Sequence, residues 1–225
     1  NIITGVLAGT HTISIIDSNS CQHDTIITLT EPTALVATLT SSSNPLCFGD
    51  SSGTLVGMAT GGTSFGGSYL YSWYYSGTPG QMYSFDSSVT KALAGTYTLV
   101  VEDLNGCMDS LNNVTLTNPA ALVISVTIDT IKCFGGTATI TTTGSGGSGT
   151  ISYNLNGGTY QSLPTFNGIT AQGIYTITVK DNNNCLSAST VQQIASALSV
   201  SADYDSIYCF GDATELYAFV SGGAS

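Results

Sequence analysis

Hydrophobic and polar side chains alternate along short segments of the chain, and glycine, asparagine or aspartate separates one segment from the next. In residues 121–128 every second residue is a large aliphatic one, and residues 137–143, 151–155, 174–180 and 187–194 are further predicted strands between turn residues. A period of two places successive side chains on opposite faces of a strand. No segment shows the 3.6-residue period of a helix. The pattern therefore predicts short β-strands joined by turns.

The six cysteines divide into two alternating classes. Those that end an Asp-x-Asn-x-Cys sequence are called here the Asp-turn cysteines: Cys21, Cys107 and Cys185. Those that begin a Cys-Phe-Gly-(Asp/Gly) sequence are called the Phe-turn cysteines: Cys47, Cys133 and Cys209. Neighbours in the first class are 86 and 78 residues apart, and neighbours in the second are 86 and 76 apart. Two independent markers thus indicate one repeat of about 80 residues.

The repeat predicts the domain organisation. Residues 32–118 and 119–195 are complete repeats, residues 1–31 match only the C-terminal part of a repeat, and residues 196–225 match only the N-terminal part. About seven short strands in each period of about 80 residues are typical of an immunoglobulin-like sandwich. The predicted fold class is therefore all-β, with tandem immunoglobulin-like β-sandwich repeats. We expect the two partial repeats to have exposed strand edges where neighbouring repeats would complete them.

Aromatic residues at equivalent positions of the repeats predict the structural core. Trp73 aligns with Leu155, and Tyr71 aligns with Tyr153. An exchange of tryptophan for leucine at an alternating position indicates core packing rather than stacking on a sugar.

A second aromatic position follows a glycine at the start of the penultimate strand of each repeat. Tyr97 and Tyr175 hold it in the complete repeats, where the tyrosine corner of immunoglobulin-like domains lies. His11 holds the same place in the first partial repeat, so we expect His11 to be structural.

Charged residues are scarce, which excludes several classes of partner. The chain has 3 Lys+Arg against 14 Asp+Glu in 225 residues, a net charge of −11. Nucleic-acid and anionic-membrane binding need many basic residues, and this chain has almost none. No apolar run reaches the 18 residues of a membrane span, so no membrane insertion is expected.

Catalysis has no recurring set of residues. The two histidines, His11 and His23, both lie in the first partial repeat, so a histidine-dependent site does not recur. No acid pair recurs outside the turns. We predict no enzymatic activity, no catalytic residues and no cofactor. The Asp-x-Asn turns are expected to bond their own backbone, although calcium binding through their oxygens is an alternative.

The sequence motifs resemble those of a known family. The unit Cys-Phe-Gly-(Asp/Gly), Tyr-x-Tyr-x-Trp, Ala-Gly-Thr-Tyr-Thr and Asp-x-Asn-Gly-Cys resembles the SprB repeat of very long surface proteins of Bacteroidota, among them a gliding-motility adhesin. The match is best in residues 32–118; in 119–195, Leu155 replaces the tryptophan and Asn184 replaces the last glycine. The resemblance implies export by type IX secretion and display on the cell surface as filaments.

O-glycosylation is a further implication of the resemblance. Bacteroidota modify Ser or Thr in Asp-(Ser/Thr)-aliphatic triplets, of which the chain has four, although chance triplets are also expected in a chain so rich in Ser and Thr. The candidate acceptors are Thr25, Ser110, Thr130 and Ser206.

All six cysteines are disulfide candidates, since an even number suits an oxidising, extracellular compartment. Their pairing stays open at this stage. Pairing within repeats would join Cys47 to Cys107 and Cys133 to Cys185. However, a seven-residue strand spans roughly 23 Å, whereas a disulfide needs Cα atoms within about 7 Å. A bond between repeats, Cys47 to Cys185, is the second alternative, and free thiols are the third.

The sequence as a whole predicts a non-enzymatic stalk or filament segment of a large secreted surface adhesin, used in gliding or attachment. Its expected partners are neighbouring repeats of the same long chain and other filament subunits, with no nucleic acid. One alternative is a binding module for a glycan or another surface ligand. It would use an exposed stripe of aromatic residues, namely Tyr74, Tyr75, Tyr83 and Phe85. Another alternative is a spacer beside a secreted enzyme.

Overall fold

The structure is a computed structural model that describes residues 2–64, 66–129, 131, 133, 135–170, 173–195 and 198–222. The described residues form seventeen β-strands and no helix, and ten of the strand pairings among them are antiparallel. None of them forms a helix long and apolar enough to cross a membrane. The predicted all-β fold class is confirmed.

Residues 32–118 contain a sandwich of two sheets. One sheet has the order β3-β4-β7 and the other the order β6-β5-β8-β9, so the first, second and fifth strands face the remaining four. This division of strands is the immunoglobulin-like arrangement. The strands are β3 (Val36–Ser43), β4 (Gly53–Thr60), β5 (Leu70–Tyr75), β6 (Met82–Ser84), β7 (Ser88–Ala92), β8 (Gly95–Glu102) and β9 (Met108–Leu116).

Alternate residues of β4 and β8 face the interior of this sandwich, as the period of two requires. Leu55, Trp73, Tyr97 and Leu99 are fully buried. Tyr71 is half-buried, and its hydroxyl oxygen accepts a hydrogen bond from the Ala59 backbone N–H at 3.2 Å. The aromatic positions that the sequence assigns to the core of this repeat therefore lie in or against it.

Residues 119–195 contain a second, smaller sandwich. Its sheets have the orders β10-β11-β13 and β12-β14-β15. The core is aliphatic around Ile140 and Ile177, and Leu155 and Tyr175 pack against it, half-buried. Tyr153 is buried. The strands are β10 (Val123–Ile128), β11 (Ala138–Ser145), β12 (Ser152–Leu155), β13 (Thr165–Ile169), β14 (Gly173–Lys180) and β15 (Thr190–Ile194).

The two partial repeats each form a two-stranded sheet. The first pairs β1 (Gly9–Ile16) with β2 (Gln22–Leu29), and the second pairs β16 (Ser199–Tyr204) with β17 (Leu216–Ser221). Nearly all residues of these four strands are exposed, because two strands alone cannot enclose a core. In the first hairpin, His11 Nε2 donates a hydrogen bond to the Leu7 carbonyl at 2.8 Å.

The chain divides into two compact units. The first comprises Asn1–Ser43, Thr54–Thr90 and Gly95–Leu116, and the second comprises Asn44–Gly53, Lys91–Ala94 and Thr117–Ser225. The loop between β3 and β4, although it belongs to the repeat 32–118 by sequence, is thus part of the second unit. The repeat borders after residues 31, 118 and 195 stay predictions from the sequence.

Candidate functional site

The Asp turns have the same geometry at all three of their occurrences. Asp103 Oδ1 accepts hydrogen bonds from the backbone N–H of Asn105 at 2.9 Å and of Cys107 at 2.8 Å. Asp17 and Asp181 accept the corresponding bonds from the residues two and four positions later. The carboxylates are thus held by backbone donors, as the turn interpretation expects. No group of three or more His, Cys, Asp or Glu side chains that could hold a metal ion occurs among the described residues.

The residue before each Asp-turn cysteine has a positive φ, which explains the exchanges seen there. Its φ is 63° at Ser20, 78° at Gly106 and 63° at Asn184. Glycine adopts this conformation without steric cost, and asparagine tolerates it better than other residues. Replacement of the glycine by Asn184 therefore keeps the turn.

In both complete repeats the second oxygen of the turn aspartate bonds to another loop. Asp103 Oδ2 accepts from the Thr63 backbone N–H and Asp181 Oδ2 from that of Ser148, each at 2.8 Å. Both aspartates are buried, with 4% and 3% of their surface exposed. Buried carboxylates need such donors because an unpaired buried charge is costly. Each aspartate therefore joins the turn that carries the cysteine to the loop after the second strand.

The same loop contains a pair of glycines that lies against the segment before the first strand. The Gly62 N–H donates to the Thr33 carbonyl at 2.7 Å, and the Gly147 N–H donates to the Ala120 carbonyl at 2.9 Å. A Cβ atom on Gly61 would lie 1.9 Å from the Ala34 carbonyl oxygen. The position therefore requires glycine.

The segment before the first strand, the glycine pair and the turn aspartate line one surface pocket beside Cys107 and one beside Cys185. The Cys107 pocket is lined by Glu31, Pro32, Thr33, Ala34, Leu35, Gly62, Asp103 and Cys107. The Cys185 pocket is lined by Pro119, Ala120, Ala121, Leu122, Gly147, Asp181, Asn184, Cys185 and Leu186, together with Cys47 and Phe48. Seven positions correspond one to one: the proline, the three residues that follow it, the glycine, the aspartate and the cysteine. The pockets differ in that residues of a Phe turn line only the second.

Cys47 and Cys185 form a disulfide bond, with Cα atoms 5.5 Å apart and a sequence separation of 138 residues. Both residues lie in the second compact unit. Of the arrangements that the sequence left open for these two cysteines, the structure has the bond between repeats. Pairing of Cys47 with Cys107 and of Cys133 with Cys185 is thereby wrong, because each thiol forms one disulfide. The other four candidates, Cys21, Cys107, Cys133 and Cys209, are unpaired and exposed.

Hydrogen bonds hold the Cys47 loop in place within the second unit. The Gly49 N–H donates to Asn118 Oδ1 at 3.1 Å, and the Asn183 side-chain amide donates to the Leu46 carbonyl at 3.3 Å. The Phe turn itself is closed by the Asp50 N–H, which donates to the Cys47 carbonyl at 3.3 Å. The disulfide is therefore part of a hydrogen-bonded contact and not an isolated bond.

The charge of Asp103 also affects its cysteine. It is the main cause that raises the pKa of the Cys107 thiol above its ordinary value, with desolvation as a smaller cause. A raised pKa leaves less of the thiolate that reacts in disulfide exchange. Cys107 is therefore expected to be a slow nucleophile near neutral pH.

The aromatic residues that would form a binding stripe do not share one exposed surface. Tyr75, Tyr83 and Tyr97 pack on one another, with ring centroids 5.0 to 5.7 Å apart, and Tyr97 is fully buried. Tyr74 is half-buried, and Phe85 is the one stripe residue that is largely exposed, at 76%. These contacts stabilise the sandwich and leave little aromatic surface for a sugar.

The candidate glycan acceptors that the structure describes are exposed. Thr25 lies on β2, Ser110 on β9 and Ser206 in the segment after β16. Thr130 lies outside the described residues. Glycosylation stays a prediction.

The pocket residues other than aspartate and cysteine were missed by the sequence analysis. Their signal was present: Pro-x-Ala-Leu begins both complete repeats, at Pro32 and Pro119, and Gly-Gly follows at residues 61–62 and 146–147. Alignment of the repeats for small residues as well as cysteines would have found them.

No model of a known protein family matches the chain, and no curated protein is similar to it. Among solved structures, the three N-terminal domains of the highly immunogenic outer capsid protein (Hoc) of bacteriophage RB49 are 17% identical. They align with 84% of this chain and 69% of that chain, with a TM-score of 0.44. Fibronectin(III)-like modules of Clostridium thermocellum CbhA are 14% identical over 71% of this chain and 93% of that chain, with a TM-score of 0.31. Similarities of this strength do not transfer a function.

Acidification is expected to weaken the sandwich that contains Asp103. Hydrogen bonds from the N–H groups of Thr63 and Cys107 lower the pKa of Asp103 below its ordinary value of 3.8. A lowered folded-state pKa means that these bonds contribute stability above pH 3.8, and that this contribution is lost as the pH falls through the folded-state value. Urea unfolding followed by Trp73 fluorescence between pH 7 and pH 2 measures the loss.

The variant Asp103→Asn should be less stable than the wild type at pH 7 and should lose less stability on acidification. Asp86→Asn is the matched control, because Asp86 is an exposed residue of the same repeat. Equal acid sensitivity of the wild type and Asp103→Asn would contradict the assignment.

Substitution of Gly61 by alanine is expected to destabilise the first sandwich more than the same change at Gly66. Both glycines have positive φ, 76° and 63°, so each substitution carries a backbone cost of about 1–2 kcal/mol. Only at Gly61 would the new Cβ also overlap a backbone oxygen, since no atom lies within 4 Å of that position at Gly66. Thermal unfolding of both variants tests the difference. Equal losses of stability would show that the backbone around Gly61 shifts to make room for the Cβ atom.

Proposed function

We propose that this chain is a structural segment of a fibre: a non-enzymatic stalk or filament portion of a large secreted protein displayed on the cell surface, of the SprB-repeat type. The supporting observation is the disulfide between Cys47 and Cys185, which joins the Phe turn of one repeat to the Asp turn of the next. A bond across a repeat border has little use in a module that acts alone. In a fibre it transmits load from one repeat to the next without unfolding either.

The disulfide also supports an extracellular location, because such bonds persist in oxidising compartments. Export by type IX secretion, and use of the fibre in gliding or surface attachment, are proposed with it on the sequence resemblance. The low charge fits the same role, since a surface of Ser, Thr, Asn and Gly with a small acidic excess discourages association between neighbouring fibres.

Pulling the 225-residue chain by its ends tests the load-bearing role. With the disulfide intact, the 138 residues between the two cysteines cannot extend, and reduction should release about 480 Å of additional contour length. Cys185→Ala should release the same length without reductant, whereas Cys107→Ala should behave as the wild type. Oxidised chains that extend over their full length would overturn the mechanical proposal. Absence of antibody labelling of residues 32–195 on intact producing cells would overturn the surface location.

A further inference from the structure

The Cys107 pocket corresponds to the Cys185 pocket, but no described Phe-turn residue lines it. In both, the proline segment, the glycine pair and the buried aspartate are held by the same hydrogen bonds, which differ in length by at most 0.2 Å. Cys47 and Phe48 form part of the lining of the Cys185 pocket. Cys107 is exposed and unpaired, and its pocket is lined by the corresponding proline segment, glycine and aspartate. By analogy, a Phe turn of another repeat would complete the lining at Cys107 as Cys47 and Phe48 do at Cys185.

The Phe turns that lack a partner have the geometry of the paired one. In each, the fourth residue donates its N–H to the cysteine carbonyl, at 3.0 Å for Cys133 and 3.2 Å for Cys209, compared with 3.3 Å for Cys47. Phe210 is completely exposed, whereas 61% of Phe48 is exposed where the next repeat is present.

We propose that the Phe-turn cysteine of every repeat bonds to the Asp-turn cysteine of the following repeat, so that Cys47–Cys185 is one member of a continuous series. Cys133 then bonds to the Asp-turn cysteine of the repeat that begins at residue 196. Cys209 bonds to the Asp-turn cysteine of the repeat after that one. Cys107 and Cys21 bond to the Phe turns of the repeats before their own. This rule accounts for all four unpaired cysteines, because it places the partner of each outside residues 1–225 in the longer chain.

Each bond forms by a balanced two-electron oxidation. The two thiols lose two protons and two electrons, and an oxidised dithiol oxidoreductase of the exported compartment accepts them as its own disulfide is reduced to a dithiol. In vitro, oxidised glutathione takes this role and yields two molecules of reduced glutathione. The raised pKa of Cys107 leaves less of its reactive thiolate and therefore slows its disulfide exchange.

The series would give the fibre two parallel covalent paths. One path runs through Cys21 and Cys47, crosses the disulfide to Cys185, and continues to Cys209. The other runs through Cys107 and Cys133. Between consecutive disulfides each path contains only 26 residues (47 − 21 and 133 − 107) or 24 residues (209 − 185). Even with every sandwich unfolded, such a link reaches no more than about 90 Å.

A two-copy chain tests the rule. By alignment of the cysteines, Ser225 corresponds to position 63 of the complete repeat and Asn1 to position 87, so residues 64–86 are the missing part. Two copies of residues 1–225 joined by residues 64–86 would contain one further complete repeat. After treatment with oxidised glutathione, peptide mapping without reductant identifies the cysteine pairs.

The expected pairs are Cys133 of the first copy with Cys21 of the second, and Cys209 of the first copy with Cys107 of the second. Cys47–Cys185 in each copy is the internal control. Cys107→Ala in the second copy should leave Cys209 unpaired and the other new bond intact. A bond between Cys209 of the first copy and Cys21 of the second, which would lie within one repeat, overturns the rule, as do free thiols at these positions.

A variant of the single 225-residue chain tests the rule even when the joined repeat does not fold. In Cys185→Ala the rule expects Cys47 to remain a thiol or a glutathione adduct, and a Cys47–Cys107 peptide would overturn it. The inference rests on the proposed fibre function, but the two fail separately. Pulling and cell labelling test the fibre, whereas the identity of the linked peptides tests the pairing rule.

Discussion

Trp73→Ala is expected to destabilise the sandwich of residues 32–118 by about 3–5 kcal/mol, a large part of the stability of a single domain. Trp73 has no exposed surface and packs in one core with Leu55 and Leu99. Alanine would lose the burial of the indole and leave a cavity. Calorimetry or circular dichroism measures the effect, since the change also removes the one tryptophan of the chain.

Phenylalanine at position 73 should cost much less than alanine. The Trp73 Nε1 is buried and has no hydrogen-bond partner among the described residues, and an unpaired buried donor costs about 1–3 kcal/mol. Trp73→Phe removes that donor and keeps most of the ring, so the two effects offset each other. Phe85→Ala, at an exposed site of the same repeat, should change stability by about 0.5 kcal/mol or less. A loss below about 1 kcal/mol in Trp73→Ala would contradict the assigned core.

Removal of the disulfide is expected to lower the free energy of unfolding of the region between Cys47 and Cys185 by as much as about 5 kcal/mol. This is the chain-entropy estimate for a loop of 138 residues. The bond stabilises mainly by restricting the unfolded chain, so the loss should appear in Cys185→Ala and in the reduced wild type alike. Denaturant titration with and without reductant measures it.

Cys107→Ala is the matched control for that experiment, because it replaces an Asp-turn cysteine that is unpaired. The double variant Cys47→Ala/Cys185→Ala should lose no more than either single variant, since each single change already breaks the bond. Equal losses in Cys107→Ala and Cys185→Ala would show that the disulfide contributes nothing.

Much of the fold was predictable because its causes are local. Alternation in residues 121–128 predicted a strand that the structure has as Val123–Ile128. The turn before Cys185 was predictable because Asp181 bonds to backbone groups only two and four residues away. The exchange of Trp73 for Leu155 indicated packing, and both side chains are withdrawn from solvent, the first completely and the second in part.

The candidate site was predictable only in its parts. The cysteines and the turn aspartate were found, but the second bond of Asp103 reaches Thr63, 40 residues away, and no local pattern shows it. The contacts among Tyr75, Tyr83 and Tyr97 were also hidden. In sequence Tyr75 and Tyr83 resemble part of an exposed stripe, whereas the folded chain packs them against Tyr97, which the sequence already placed in the core.

The sequence by itself determined that this chain is a tandem array of β-sandwich repeats with a cysteine in each of two turns, because strand periodicity and turn chemistry act over a few residues. The sequence left the partner of Cys47 open, with Cys107 and Cys185 as alternatives. Only the tertiary structure selected Cys185, since a disulfide needs two Cα atoms a few ångströms apart and the chain can satisfy that at any sequence distance. The same closeness in space places Cys47 and Phe48 in the lining of the Cys185 pocket, whereas no described Phe-turn residue lines the pocket at Cys107.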